Sequence, residues 1–162
     1  GQKIFDLLNE AYKDLFGFAK LTDEQIQFYI KLYFSFFRLD TVVLVENDEG
    51  DLIALGIAMP SFTKALQKVK GKLFPFGWYH MLKAIKKNDL LDLYLIAVHP
   101  DYQNKGVNAI LFAEMMPVAA KNGYVYAESN PELETNTKIT AHWDYFEHEI
   151  HKKRRVYIKA IK

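Results

Sequence analysis

The stretch "AVHPDYQNKGVNAILFAEMM", residues 97–116, sets a histidine, a proline, a polar loop and one glycine between two apolar runs. Pro100 has no N–H for a ladder and holds His99 toward extended geometry, so strand pairing should stop there. From Asn104 to Asn108 the chain opens a helix whose first backbone N–H groups lack intrahelical acceptors. Such a terminus attracts anions through those amides and through the helix dipole. Gly106, with no Cβ, lets a phosphate approach the backbone. Gln103 and Lys105 add a side-chain donor and a positive charge. The same residues also make an ordinary strand-to-helix turn, and spacing alone does not separate the two readings.

Other chemistry is sparse. The chain has no cysteine, which excludes disulfides, thiolate metal sites and a cysteine nucleophile. Its five histidines stand at 80, 99, 142, 148 and 151. Only His148 and His151 are close, and "HEIH" falls in an expected strand or turn rather than on a helix, so no metal site is expected. The basic run "HKKRR", residues 151–155, reads as a solvated turn, with an acidic partner or nucleic acid as the alternatives. A formal net charge of +1 is too balanced to imply nucleic acid or a membrane surface by itself, and neither is expected as a partner.

The elements that position these residues follow from periodicity. With 162 residues, half of them hydrophobic, the chain has the length and composition of one domain, residues 1–162, with a packed core. Gly1 as first residue points to a longer natural chain. No apolar run approaches the roughly 18 residues of a spanning helix, and no signal-peptide pattern opens the chain, so a soluble cytoplasmic setting is expected. Apolar residues at 4, 7, 8, 11, 15 and 18 predict a first helix ending near Gly17. Thr22 and Gln25 have capping-box spacing before a second stripe, from Ile26 to Phe37. "TVVLVE" and "DLIALGIAM" flank the turn "NDEG" as a hairpin.

Short helices over residues 61–70 and 78–87 bracket "GKLFPFG"; the aromatic "LFPFGWYH" reads as a buried satellite cluster or one wall of an acceptor pocket. Residues 90–98 form an apolar run suited to a strand covered on both faces, residues 107–121 a helix containing Pro117, and "YVYAES" another strand. Asn130 and Pro131 supply helix-start signals for a helix reaching about Trp143, and a terminal hairpin is expected around residues 151–155. The fold class is therefore α/β, a mixed α+β domain around one main sheet.

"VHPDYQNKGVNAIL" resembles the acyl-CoA-binding motif of GNAT-type N-acetyltransferases, in which a strand ending V-x-P is followed by Q/R-x-x-G-x-G/A and a helix. Val98, Pro100, Gln103 and Gly106 match, while Asn108 stands where the family has Gly or Ala. The order of elements resembles the family over most of the chain, without its first strand. A later family helix carries N-x-x-A-x-x-x-Y; Asn136 matches the Asn, Ile139 takes the alanine position, and Trp143 falls at the tyrosine.

The resemblance implies a GNAT-like acyl-CoA N-acyltransferase fold and transfer of an acetyl or other acyl group to an amine of a small molecule or peptide. It implies acetyl-CoA or another acyl-CoA as cosubstrate, no metal, and a cofactor cradle of Ala97, Val98, Gln103, Asn104, Lys105, Gly106, Val107 and Asn108. There the Val98 N–H would polarise the thioester carbonyl, and Asn136 would face the pantetheine. The family's tyrosine protonates the leaving thiolate, which the indole of Trp143 cannot do; Tyr145, two residues on, is the substitute. A base must take the ammonium proton, with Glu128 as first candidate, then Glu46, Asp92 and His80. The alternatives are a CoA-binding domain without catalysis and an interaction module of a larger protein, and an oligomer is compatible with either.

Overall fold

The computed structural model describes residues 1–33, 39–136 and 142–160. They divide into two compact units, Gly1–Glu128 and Ser129–Lys162. The first unit opens with helices α1 (Gln2–Ala11) and α2 (Asp23–Tyr33). The hairpin strands β1 (Val42–Glu46) and β2 (Leu52–Pro60) follow, then short helices α3 (Thr63–Lys68) and α4 (Gly77–Lys86). Strand β3 (Leu90–Val98), helix α5 (Val107–Lys121) and strand β4 (Tyr126–Ser129) complete the series. The sheet order is β1-β2-β3-β4, with β1–β2 and β2–β3 antiparallel.

Strand β2 is buried on both faces because helices cover both. Leu55 and Ile57 pack with Leu7 and Leu8 of α1, whereas Ala54 packs with Val107 and Leu111 of α5. This is the two-residue alternation of a pleated strand. The stripe Val107, Leu111, Met115 and Ala119 is the buried face of α5, spaced by one helical turn each time. Gly56 lies beneath it; a Cβ there would meet the Met115 methyl at 3.0 Å.

In β3, Leu91 and Val98 both face α5 although they are seven residues apart. An odd separation should put them on opposite faces. The register explains the exception: Ile57 opposes Leu95 and Ala58 opposes Leu93, which leaves Tyr94 without an opposite residue in β2. One extra residue inverts the alternation, as a β-bulge does.

Several sequence expectations shift. Helix α1 ends at Ala11 rather than near Gly17, and Tyr12 caps it by donating its N–H to Leu8. The Asn9 side chain then exchanges two bonds with the backbone of Leu21, at 2.9 and 3.2 Å, which turns the chain toward α2. The capping box forms as expected, Thr22 N–H to Gln25 Oε1 at 3.0 Å and Gln25 N–H to Thr22 Oγ1 at 3.4 Å. Phe34 and Phe37 of the second stripe lie outside the described residues. The aromatic segment 73–80 is not a buried cluster, since Phe74 is 82% and Phe76 70% exposed.

The second unit departs most. Residues 130–136 are not helical despite Asn130 and Pro131, and among the described residues 142–160 the one regular element is a 3₁₀ turn, Trp143–Tyr145. The terminal hairpin around residues 151–155 is absent there. A strand needs a neighbouring ladder, and residues 147–160 are exposed throughout.

Candidate functional site

The site begins in the backbone of β3. His99 donates its N–H to Ile53 O in β2 at 2.8 Å. Strand alternation therefore turns Leu95, Ala97 and His99 toward β2, and turns the backbone N–H and C=O of Ile96 and Val98 to the other side. Strand β4 has only four residues and joins at the far end, where Asp89 O accepts from the N–H groups of Val125 and Tyr126 at 2.8 and 3.0 Å. Side chains take up the outward carbonyls instead. The Tyr12 hydroxyl donates to Ile96 O at 2.7 Å, and the Gln103 amide donates to Val98 O at 3.2 Å. The sheet thus parts at the C-terminal end of β3, and the Val98 N–H points into the parting.

The loop that follows is built to turn sharply. His99 Nδ1 accepts from the Asp101 N–H at 3.3 Å and starts a 3₁₀ turn, Pro100–Tyr102, with Pro100 in its first position. The Tyr102 hydroxyl is held by the Asn47 amide at 3.3 Å, and Lys105 Nζ lies 5.4 Å from its ring centroid. Asn104 then takes φ +59° and Gly106 φ +80°, two left-handed residues before α5. Gly106 is the N-cap without a side-chain cap bond, and the N–H of Ala109 is the first to bond back, to Gly106 O at 3.0 Å. The N–H of Val107 stands ahead of that first bond. Left-handed turns of this kind line up backbone amides toward an anion. A Cβ built on Gly106 would meet nothing within 4 Å, so the space above the turn is open.

The structure thus gathers Ala97, Val98, Gln103, Asn104, Lys105, Gly106, Val107 and Asn108 in one continuous strand–turn–helix. Glu128 is half-buried on β4 of the same unit. Asn136 and Tyr145 belong to the second unit. Tyr145 is 86% exposed in its 3₁₀ turn, and Ile139 lies outside the described residues. The Trp143 indole N–H donates to the Glu132 carboxylate, at 2.9 and 3.1 Å to its two oxygens. The remaining base candidates scatter: Glu46 ends β1, Asp92 sits early in β3, and His80 is on α4. No group of three or more His, Asp or Glu is placed to hold a metal among the described residues.

Sequence reasoning missed Tyr12. Burial pushes its phenol above the ordinary tyrosine range. The available signal was its position: Tyr12 follows Leu8 by one helical turn and so extends the buried stripe of α1 with a polar tip.

No family model matches the chain. It is 27% identical over 166 residues to a bacterial ceramide synthase from Caulobacter vibrioides, and that alignment covers 99% of this chain. The chain spans less than half the length of the curated relatives it matches, 43% in that case. Among solved structures, a ribosomal-protein-alanine N-acetyltransferase from Brucella melitensis superposes with a TM-score of 0.58 at 14% identity, over 97% of this chain and 92% of the other. The structure of AAC(6′)-Iy in complex with the bisubstrate analogue CoA-S-monomethyl-acetylneamine gives 0.57 at 13% identity, over 99% and 91%. The fold is that of the GNAT-type N-acetyltransferases.

Proposed function

We propose that this GNAT-fold chain binds an acyl-CoA at the parted end of β3 and transfers its acyl group to an amine. The observation that carries the reading is the continuity of the site: the outward-turned Val98 backbone runs directly into the left-handed turn at Asn104 and Gly106 that caps α5. The open space above Gly106 leaves room for a pyrophosphate, and the amides of residues 105–107 with the Lys105 charge supply its donors. In the transfer the amine nitrogen bonds to the thioester carbon, the C–S bond breaks, and the thiol leaves with a proton. The Val98 N–H stabilises the carbonyl oxygen as charge develops on it. Glu128 accepts the ammonium proton.

For the acceptor we infer a long-chain amine. Ceramide is an N-acylated long-chain amino alcohol, so the relative named as a ceramide synthase makes an amide on an amine of that kind. The experiment is incubation of the chain with palmitoyl-CoA or acetyl-CoA and either sphinganine or an aminoglycoside, following free thiol. The reading expects sphinganine-dependent thiol release with amide product by mass spectrometry. Thiol release with the aminoglycoside alone would overturn the acceptor, and no amide from any pairing would overturn transfer.

A second reading, acyl-CoA binding without transfer, is favoured by Trp143. Its N–H is committed to Glu132, so the position that carries a phenol in the family offers no acid here.

A further inference from the structure

We propose that the α3–α4 insert is a docking surface for an anionic lipid bilayer. This goes beyond acyl transfer and does not depend on it. The insert lies between β2 and β3 and presents Leu73, Phe74, Phe76, Trp78, Tyr79 and Leu82 to solvent, each at least half exposed. A contiguous cluster of that size is unusual on a soluble surface and marks an interaction site.

The exposure is built into the fold. Backbone bonds brace both ends of the turn: Gly71 N–H to Leu66 O at 3.0 Å, Trp78 N–H to Leu73 O at 3.1 Å, and Tyr79 N–H to Phe76 O at 3.2 Å. The Trp78 indole N–H donates to Pro75 O at 2.9 Å, which ties the helix start to the Phe74-Pro75-Phe76 corner. Gly77 is buried where any Cβ would overlap the Lys72 carbonyl oxygen. A corner held this tightly keeps Phe74 and Phe76 pointing outward.

Charge identifies the occupant. Between Thr63 and Asn88 the sequence carries seven lysines, at 64, 68, 70, 72, 83, 86 and 87, and no acidic residue; Asp89, next in the chain, pairs with Lys64 at 2.8 Å, so residues 63–89 carry a net +6. The whole chain is only +1, so the remainder is net negative. The near-neutral total conceals a strongly basic patch, and the sequence expectation of no membrane contact rested on that total. Exposed aromatic residues interspersed in sequence with lysines match the interface of an anionic bilayer: rings enter the headgroup boundary while ammonium groups meet phosphates. Lysine stems lie along apolar surface with their charges outward. A second copy would bring the same seven lysines against this patch, and like charges oppose that pairing.

The test is flotation of the full chain with vesicles of phosphatidylcholine alone and of phosphatidylcholine with an equal share of phosphatidylglycerol. The proposal expects flotation with the anionic vesicles only, reduced at least tenfold in 0.5 M salt. It expects comparable loss in Phe74→Ser/Phe76→Ser and in Lys72→Glu/Lys83→Glu, whose circular dichroism should match the parent because these side chains are exposed. Absence of flotation with anionic vesicles would overturn the proposal. So would flotation that neither double variant reduces, or a dimer on size exclusion that Phe74→Ser/Phe76→Ser converts to monomer. Acyl transfer in detergent micelles is measured beside it, so that failure of docking and failure of the enzymatic reading register separately.

Discussion

The Tyr12 hydroxyl donates a 2.7 Å hydrogen bond to the backbone carbonyl of Ile96, a group the sheet itself leaves turned away from β2. One side chain from the end of α1 thereby closes the ladder where β3 parts from the sheet. Tyr12→Phe leaves that carbonyl without its donor, at a cost of about 1–2 kcal/mol, or a fall in Tm of about 2–8 °C for a chain of this size. Thermal melts of the two proteins check it.

The same contact has a pH signature. Burial raises the Tyr12 pKa above its ordinary value of 10.0, so the neutral phenol is the form the fold favours. Its contribution is complete below pH 10 and is lost as pH rises through the higher folded pKa. Ultraviolet titration of phenolate should therefore show a late-ionising component that is lost in Tyr12→Phe.

Two buried backbone approaches are expected to respond differently to an added methyl. At Gly56 the Cβ meets the Met115 methyl at 3.0 Å, the far end of a flexible side chain. At Gly77 it meets the Lys72 carbonyl oxygen, which belongs to a bonded turn. Gly56→Ala should cost under about 1 kcal/mol, and Gly77→Ala about 1–3 kcal/mol. Urea unfolding of both gives the comparison, and equal midpoints would contradict it.

Lys64 and Asp89 form an exposed ion pair at 2.8 Å, and the Lys64 hydrogen bond holds the Asp89 carboxyl below its ordinary value of 3.8. A depressed acid stabilises above its unfolded pKa and loses that contribution as pH falls through the folded one. Carboxyl NMR titration should place Asp89 below 3.8, moving back up in Lys64→Ala or in 1 M salt.

Much of the first unit was legible in the sequence. The apolar run 90–98 and the helix 107–121 fall where periodicity put them, because burial against both helices leaves little room for other patterns. The turn glycine at 106 was legible because only a residue free to take φ +80° fits there without strain. The bulge at Tyr94 was not, since an apolar run continuous on both faces hides a register change. Residues 130–160 misled because Asn130, Pro131 and alternating apolar residues are local signals. Over residues 130–136 and 142–160 they build neither an α-helix nor a strand. The aromatics near Phe74 read as interior because hydrophobicity alone does not say which apolar residues a fold leaves outside.

The backbone of the strand–turn–helix was legible through its motif, whereas Glu128 and Tyr145 have no such local signature. Glu128 and Tyr145 are typical of many surface residues, and no spacing rule ties them to residue 98. Tyr12 stands 84 residues before its carbonyl partner, a separation that no local pattern reports.

The central claim is the acyl-CoA cradle, and calorimetric titration of palmitoyl-CoA, acetyl-CoA and free CoA into the chain tests it most directly, with Gly106→Glu beside it. That variant puts a carboxylate, at a strained left-handed φ, into the space assigned to the pyrophosphate. Saturable binding that weakens at least a hundredfold in Gly106→Glu, with the variant still folded by circular dichroism, is the expected result. Binding equally strong in both proteins, or none in either, would contradict the cradle.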